Sequence, residues 1–147
     1  MKFKGDIIIT DPCYITKNDT NDWELCEYGE NMEKLGIKTY LTRDTIYGDW
    51  SCTTFNNDTH EPIGQFCADA GLVSVFLLDE VLKYNPDFDY HLNRLWTTTL
   101  IKDFDGDVVI EVVGVEYKNE EGYIENDEEV RVIGKGSINF HTRQTGF

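Results

Sequence analysis

"WTTTLIKDFDGDVVIEVVGVEY", residues 96–117, decides the fold class of this chain. Residues 96–104 and 107–117 are dense in Thr, Val, Ile and aromatic side chains, which fit a pleated, half-buried surface, so each run reads as a strand. Asp105–Gly106 lies between them, and an Asp-Gly pair flanked by strands is the strongest short-range hairpin signal, so a turn is expected there. "VRVIGKGSINFHT" (130–142) returns after "KNEEGYIENDEE" (118–129). The last third therefore reads as a β-meander.

Upstream, "FKGDIII" (3–9) reads as a strand stopped by Pro12, which cannot donate to a central ladder. "IKTYLT" (37–42), "TIYGDWSCTTF" (45–55) and "PIGQFCADAGLVSVF" (62–76) continue the β pattern, with "NNDTHE" and "ADAG" as turns. Two short helices are expected. Asn21 would cap the first, with Glu24 completing a capping box and Trp23, Cys26 and Leu35 toward the core. "LLDEVLKYNPDF" forms the second, with Leu78, Val81 and Leu82 on one face and Asn85–Pro86 ending it. The expected fold is α+β: one domain over residues 1–147, mostly antiparallel sheet, meander or sandwich-like, with two short helices.

The chain of 147 residues carries 13 Lys plus Arg against 28 Asp plus Glu, a net charge of −15. The acidity is spread over both halves. A phosphate backbone is bound by exchanging counterions for Lys and Arg, so direct binding to nucleic acid is excluded as an expectation and a basic protein becomes the natural partner. No stretch approaches the length of apolar chain that crosses a bilayer, and the start "MKFKGD" lacks the apolar core of a signal peptide, so no membrane role and a cytoplasmic location are expected.

The four cysteines, Cys13, Cys26, Cys52 and Cys67, form no CxxC pair and lack zinc-site spacing, so neither metal nor other cofactor is expected. In "TDPCYI" (10–15), Cys13 poses the question of a nucleophile. A reactive thiol needs a lowered pKa and a base. The candidate bases His60, His91 and His141 sit in other elements. Free cysteine is commonly a packed thiol, and that is the expectation for all four. The alternative is a small-ligand module or cysteine-dependent enzyme centred on Cys13 with Asp11 and Asp69, in which the "DPCY", "YGD" and "DAG" loops, Asp49 included, gather into an acidic pocket.

"DFDGD" (103–107) resembles the opening of a calcium loop, but Gly106 is fourth rather than sixth and Gly114 stands where the bidentate Glu belongs. Two acidic stretches remain as candidate partner-binding surfaces: Asp103, Asp105 and Asp107, and Glu120, Glu121, Glu125, Asp127, Glu128 and Glu129. As members of different turns of a meander they should lie about a strand length apart. A solvated acidic loop is the plain account of the second stretch; imitation of a phosphate backbone is the functional one.

The residues Asp11–Tyr14, Trp23, Gly48–Trp50 and Asp69–Leu72 carry a resemblance over roughly the first 85 positions. They are similar to a group of short, functionally uncharacterised proteins of phages and bacterial mobile elements, with a strand ending in GDPCY, a helix beginning with Trp, a GDG-type turn and a VDAG strand. Thr10 and Trp50 depart from that pattern. The resemblance implies a fold and a phage-like origin. With the charge, it gives the expectation of a non-enzymatic acidic protein that binds and inhibits a basic, nucleic-acid-handling host protein such as a nuclease of a defence system. A virion-associated structural protein is the third reading.

Overall fold

The computed structural model describes residues 1–17, 20–22, 24, 32–46, 48–93 and 96–146. Eight strands form a single sheet: β1 (Lys2–Thr10), β2 (Tyr40–Asp44), β3 (Ser51–Asn56), β4 (Pro62–Cys67), β5 (Leu72–Leu77), β6 (Thr98–Lys118), β7 (Ile124–Gly136) and β8 (Phe140–Gly146). Their order is β2-β5-β1-β6-β7-β8-β3-β4, and every recorded pairing is antiparallel. Among the described residues one α-helix of more than a turn, α1 (Leu78–Tyr84), leads directly out of β5, and a single helical turn follows at Tyr90–Asn93. The helix expected to start at Asn21 falls largely outside the described residues, as do Trp23 and Cys26.

β1 shows how the sequence builds two cores. Successive side chains of a strand point to opposite faces. Ile7 and Ile9 join Phe3, Phe66, Val75, Phe104, Val132 and Phe140 on one face, while Ile8 joins Ile15, Met32, Phe76, Leu78 and Val81 on the other. Each such side chain, fully buried, contributes roughly 1.5–3 kcal/mol. The helix and the 3-10 turns (Pro12–Tyr14, Met32–Leu35) cover the second face. The first is enclosed because the sheet curls on itself. Thr54 of β3 shares a hydrogen bond of 3.0 Å with Thr99 of β6, whose hydroxyl also donates to the Gln65 carbonyl of β4, although β6 neighbours neither strand in the sheet.

The Asp-Gly hairpin expected at residues 105–106 does not form. β6 runs through it as one strand of 21 residues, pairing with β1 over its first half and with β7 over its second. A two-residue Asp-Gly turn needs positive φ at both central positions, and neither Asp105 nor Gly106 has it. Gly106 serves another purpose: a Cβ there would lie 2.4 Å from the Lys135 carbonyl, and one on its partner Gly136 would lie 2.1 Å from the Asp105 carbonyl. The two backbones touch where β6 passes from one neighbour to the other. The kink nearby is a bulge. Gly5 pairs with Phe104 and Ile7 with Ile101, so β6 carries one extra residue, and Asp103 takes φ 51° with its N–H held by Asp6. The reversal expected within residues 118–129 does form, at Asn119–Tyr123. There the Asn119 carboxamide accepts the N–H groups of Glu121 and Tyr123, and Gly122 supplies φ 85°.

Gly134 admits the Phe140 ring of β8, whose nearest atom would stand 2.1 Å from an added Cβ. Gly134→Ala is therefore expected to lower stability by about 1–3 kcal/mol through overpacking. Gly114→Ala, at a site with nothing within 4 Å, should leave it nearly unchanged. Denaturant unfolding of the two variants side by side checks the pair.

Candidate functional site

Two regions collect the residues that the sequence singles out. In the first, the "DPCY" and "DAG" loops converge and "GD" joins them; Tyr47 lies outside the described residues. Asp11 follows β1 and is fully buried. One carboxylate oxygen accepts the Cys13 N–H at 3.0 Å, capping the 3-10 turn that Pro12 opens, and the other accepts the N–H groups of Ala70 and Leu72 at 2.7 and 3.2 Å. Gly71, at φ 75°, packs against the Gly48 backbone, and its carbonyl accepts the Thr45 N–H. Asp11 thus ties two loops together through three of their amides, and the third loop joins them through Gly71. Its side chain is buried and is not part of the lining of the cleft beside Cys13.

Burial raises the pKa of Asp11 above the ordinary carboxylate range, against the hydrogen bonds from Cys13, Ala70 and Leu72 that lower it. The Cys13 thiol is also pushed up, by desolvation first and then by the Asp11 and Asp69 carboxylates. The residue as a whole reaches solvent, so the charge effect is the part that counts, and it acts in the same direction. A thiol beside two carboxylates is the reverse of an activated nucleophile. The cleft next to it, about 300 Å³, is lined by Tyr14, Asn85, Asp87, Phe88 and Asp89 among others, without a histidine. His60 sits in the β3–β4 turn, and His141 on β8 stacks on Phe55 and bonds Asn57. Asp69 and Asp49 are exposed. Cys52 is buried with its thiol pushed up to about 12, chiefly by desolvation, and Cys67 donates to the Trp96 carbonyl.

The second region is an arm. β1 covers the edge of β6 only as far as Val108, which exchanges hydrogen bonds with Met1, while β8 pairs with β7 only at Ile133 and Gly134. Beyond those points β6 and β7 continue as a two-stranded ribbon to the turn at Asn119–Tyr123. Between Glu111 and Glu129 it holds eight carboxylates and one ammonium, that of Lys118, so it carries close to half the net charge of −15. Tyr123 and Ile124 at its tip are 68% and 65% exposed, and Tyr117 is exposed beside them.

The arm's carboxylates are not equivalent. Glu120 and Glu121 lie at the tip, and Glu128 is exposed on β7 with Asp127 half-buried beside it. Glu125 accepts the Tyr117 hydroxyl at 2.6 Å and the Asn119 carboxamide, and the Tyr117 bond, chiefly, lowers its pKa. Glu129 is only 6% exposed and accepts from the Nε atoms of Arg131 and Arg143. It is an internal ion-pair centre at the root of the arm, where a surface contact was expected. Asp103, Asp105 and Asp107 lie within β6 rather than on a turn, and Asp105 pairs with Lys2 at 2.9 Å, which lowers its pKa. At about 3.3 Å per residue, Asp105 and the arm's tip are some 45 Å apart along one strand. The separation expected between the two acidic stretches is there, though along a single strand.

The edge of β7 carries a feature that sequence reasoning missed. The N–H groups of Val130 and Val132 are accepted not by the β8 backbone but by the Gln144 carboxamide and the Thr142 hydroxyl, at 3.0 and 2.9 Å, and Asp127 accepts the Glu128 N–H. Side chains thus stopper this edge. Beside it a cleft of about 400 Å³ opens between Trp50, Tyr117, Asp127, Arg143 and Gln144. Only the three-dimensional register reveals which β8 side chain meets which β7 amide.

No protein-family model, curated protein or solved structure matches the chain. Among the described residues no helix is long and apolar enough to cross a membrane, and no group of three or more His, Cys, Asp or Glu side chains is arranged to hold a metal ion.

Two outcomes test the first region. Asp11→Asn turns an amide NH2 toward backbone donors and should cost about 1–3 kcal/mol. Because the folded pKa of Asp11 is raised, folding favours its protonated form, so the margin of the wild type over Asp11→Asn should shrink as pH rises through the range in which Asp11 ionises. Urea titrations across acidic to neutral pH give both. Cys13 should react with iodoacetamide at pH 8 more slowly than free cysteine, read by mass spectrometry of the modified peptide.

Proposed function

We propose that this chain is a non-catalytic acidic protein, of phage or mobile-element origin, that binds and blocks a basic, nucleic-acid-handling protein of the host cell. The observation that carries the reading is the arm: a ribbon outside both cores on which eight carboxylates gather within the segment from Glu111 to Glu129, with tyrosines exposed among them. A protein groove built for phosphates presents Lys and Arg in excess, and a ribbon of carboxylates enters it with the opposite charge. Electrostatic steering speeds such an encounter and makes it sensitive to salt. Tyr117, Tyr123 and Ile124 supply apolar contact area that screening does not weaken.

The partner contact falls to Glu120, Glu121, Glu125, Asp127 and Glu128, with Asp103, Asp105 and Asp107 as a second acidic surface farther down β6. Glu129 holds the arm to Arg131 and Arg143 and positions it. The cysteine-centred alternative has less support, since Asp11 is committed to three backbone amides and Cys13 lies among negative charges.

Capture of host proteins on the immobilised chain at low and at high salt tests the proposal. A basic nucleic-acid-binding enzyme held at low salt, released at high salt, inhibited by the chain and protected by competing nucleic acid is the expected result. Reversal of Glu120, Glu121, Glu125 and Glu128 to Lys should abolish both capture and inhibition, whereas Cys13→Ser should leave both intact. The opposite pattern would transfer the function to the Cys13 loops.

A further inference from the structure

The two long edges of the arm are treated differently by the fold. On β7 the outward amides of Glu128, Val130 and Val132 are each accepted by a side chain. Since those amides point away from β6, the pairs Ile110↔Val132, Val112↔Val130 and Gly114↔Glu128 are the non-hydrogen-bonded pairs of the ladder. The N–H and C=O groups of Ile110, Val112 and Gly114 therefore point out at the other edge of the arm. The Val108 N–H, two residues before, points the same way and meets Met1. Beyond it, no partner for this edge is present among the described residues, and Gly114 has nothing within 4 Å of where a Cβ would stand. "VVIEVVGVEY" (108–117) is thus a β-prone strand whose outer backbone groups are open over about three residue pairs, with Val109 and Val112 exposed. Proteins ordinarily blunt such an edge with Lys, Pro or a covering element. Residues 109–117 contain no Lys or Pro, and among the described residues no element covers them.

We infer that the open edge of β6, Ile110–Glu116, is a strand-addition site that takes an extended, basic segment of the partner as an additional antiparallel or parallel strand. The inference rests on the acidic-inhibitor reading and specifies its mode of contact. Charge decides the occupant. A second copy would set Glu111 and Glu116 of one arm against the same residues of the other, within ribbons that each carry a large negative charge. A strand alternating Lys or Arg with apolar residues places its cations on the face of β6 that carries Glu111 and its apolar side chains on the opposite face, beside Ile110 and Val112. Main-chain bonds supply affinity and the flanking side chains supply the preference for basic sequence.

The probe is a synthetic decapeptide alternating lysine with valine and threonine, titrated into the full chain at low salt and followed by calorimetry and amide NMR. Binding with new exchange protection at Ile110, Val112 and Gly114, weakened about tenfold or more in Val112→Pro, is expected. Proline at Val112 removes an outward donor and leaves the inward bonds to β7 in place. The spectrum of the β6–β7 ladder checks that the arm of the variant is intact, and wild-type amide protection decides the matter if it is not. Equal binding to Val112→Pro, or binding that protects none of the three amides, would overturn the edge site while leaving the acidic reading standing, because carboxylates alone would then hold the peptide. Absence of binding would overturn it too, with the capture experiment unaffected. Self-association of the free chain through these same amides would overturn the choice of occupant.

Discussion

The contact between the backbones of β6 and β7 at Gly106 and Gly136 is the constraint on which the architecture hangs. Only the absence of both Cβ atoms lets the two strands cross at that separation. Here β6 pairs with β1 and β7 at once, and two residues farther on, past Val108, it is a partner of β7 alone. The bulge at Asp103 bends β6 just before this point, and the Phe140 ring seated on Gly134 pins β7 to β8 just after it. One side of the crossing is curled sheet around a core of Phe3, Phe66, Phe104 and Phe140. The other side is the arm, which leaves that core because no third strand follows it.

Asp11 is the corresponding constraint at the opposite end of β1. Its carboxylate replaces water for three backbone N–H groups of two loops, and an irregular segment can be packed inward only when such donors are answered. The same commitment occupies both of its carboxylate oxygens. Desolvation, and after it the charge of Asp11 and Asp69, raises the pKa of the Cys13 thiol, while Asp11 caps the 3-10 turn that Pro12 opens.

Alternation and turn chemistry were legible along most of the chain. The β1 run, the turns at "NNDTHE" and "ADAG", the α1 helix with Asn85 at its end and the antiparallel sheet follow from residue types that act locally. Asp105–Gly106 misled because the same dipeptide satisfies two different demands, positive φ in a turn or close approach in a sheet, and the choice belongs to Gly136, thirty residues away. The second reversal was legible as the 118–129 stretch, where Asn119 and Gly122 make the turn. Glu129 looked like its acidic neighbours, yet its burial depends on Arg131 and on Arg143 of another strand. Asp11 could be placed beside Asp69 as a guess about loops, but its three amide partners depend on tertiary register.

Amide hydrogen exchange of the free protein along the arm shows whether β6 and β7 form an ordered ribbon with one edge closed and the other open. The amides of Glu111, Val113 and Val115, bonded to β7, should exchange slowly, as should Val130 and Val132 behind their side-chain acceptors. Ile110, Val112 and Gly114 should exchange fast, giving an alternating pattern along β6. Uniformly fast exchange from 109 to 129 would mean that no ribbon exists, and uniform protection would mean that the edge is already covered; either contradicts the account.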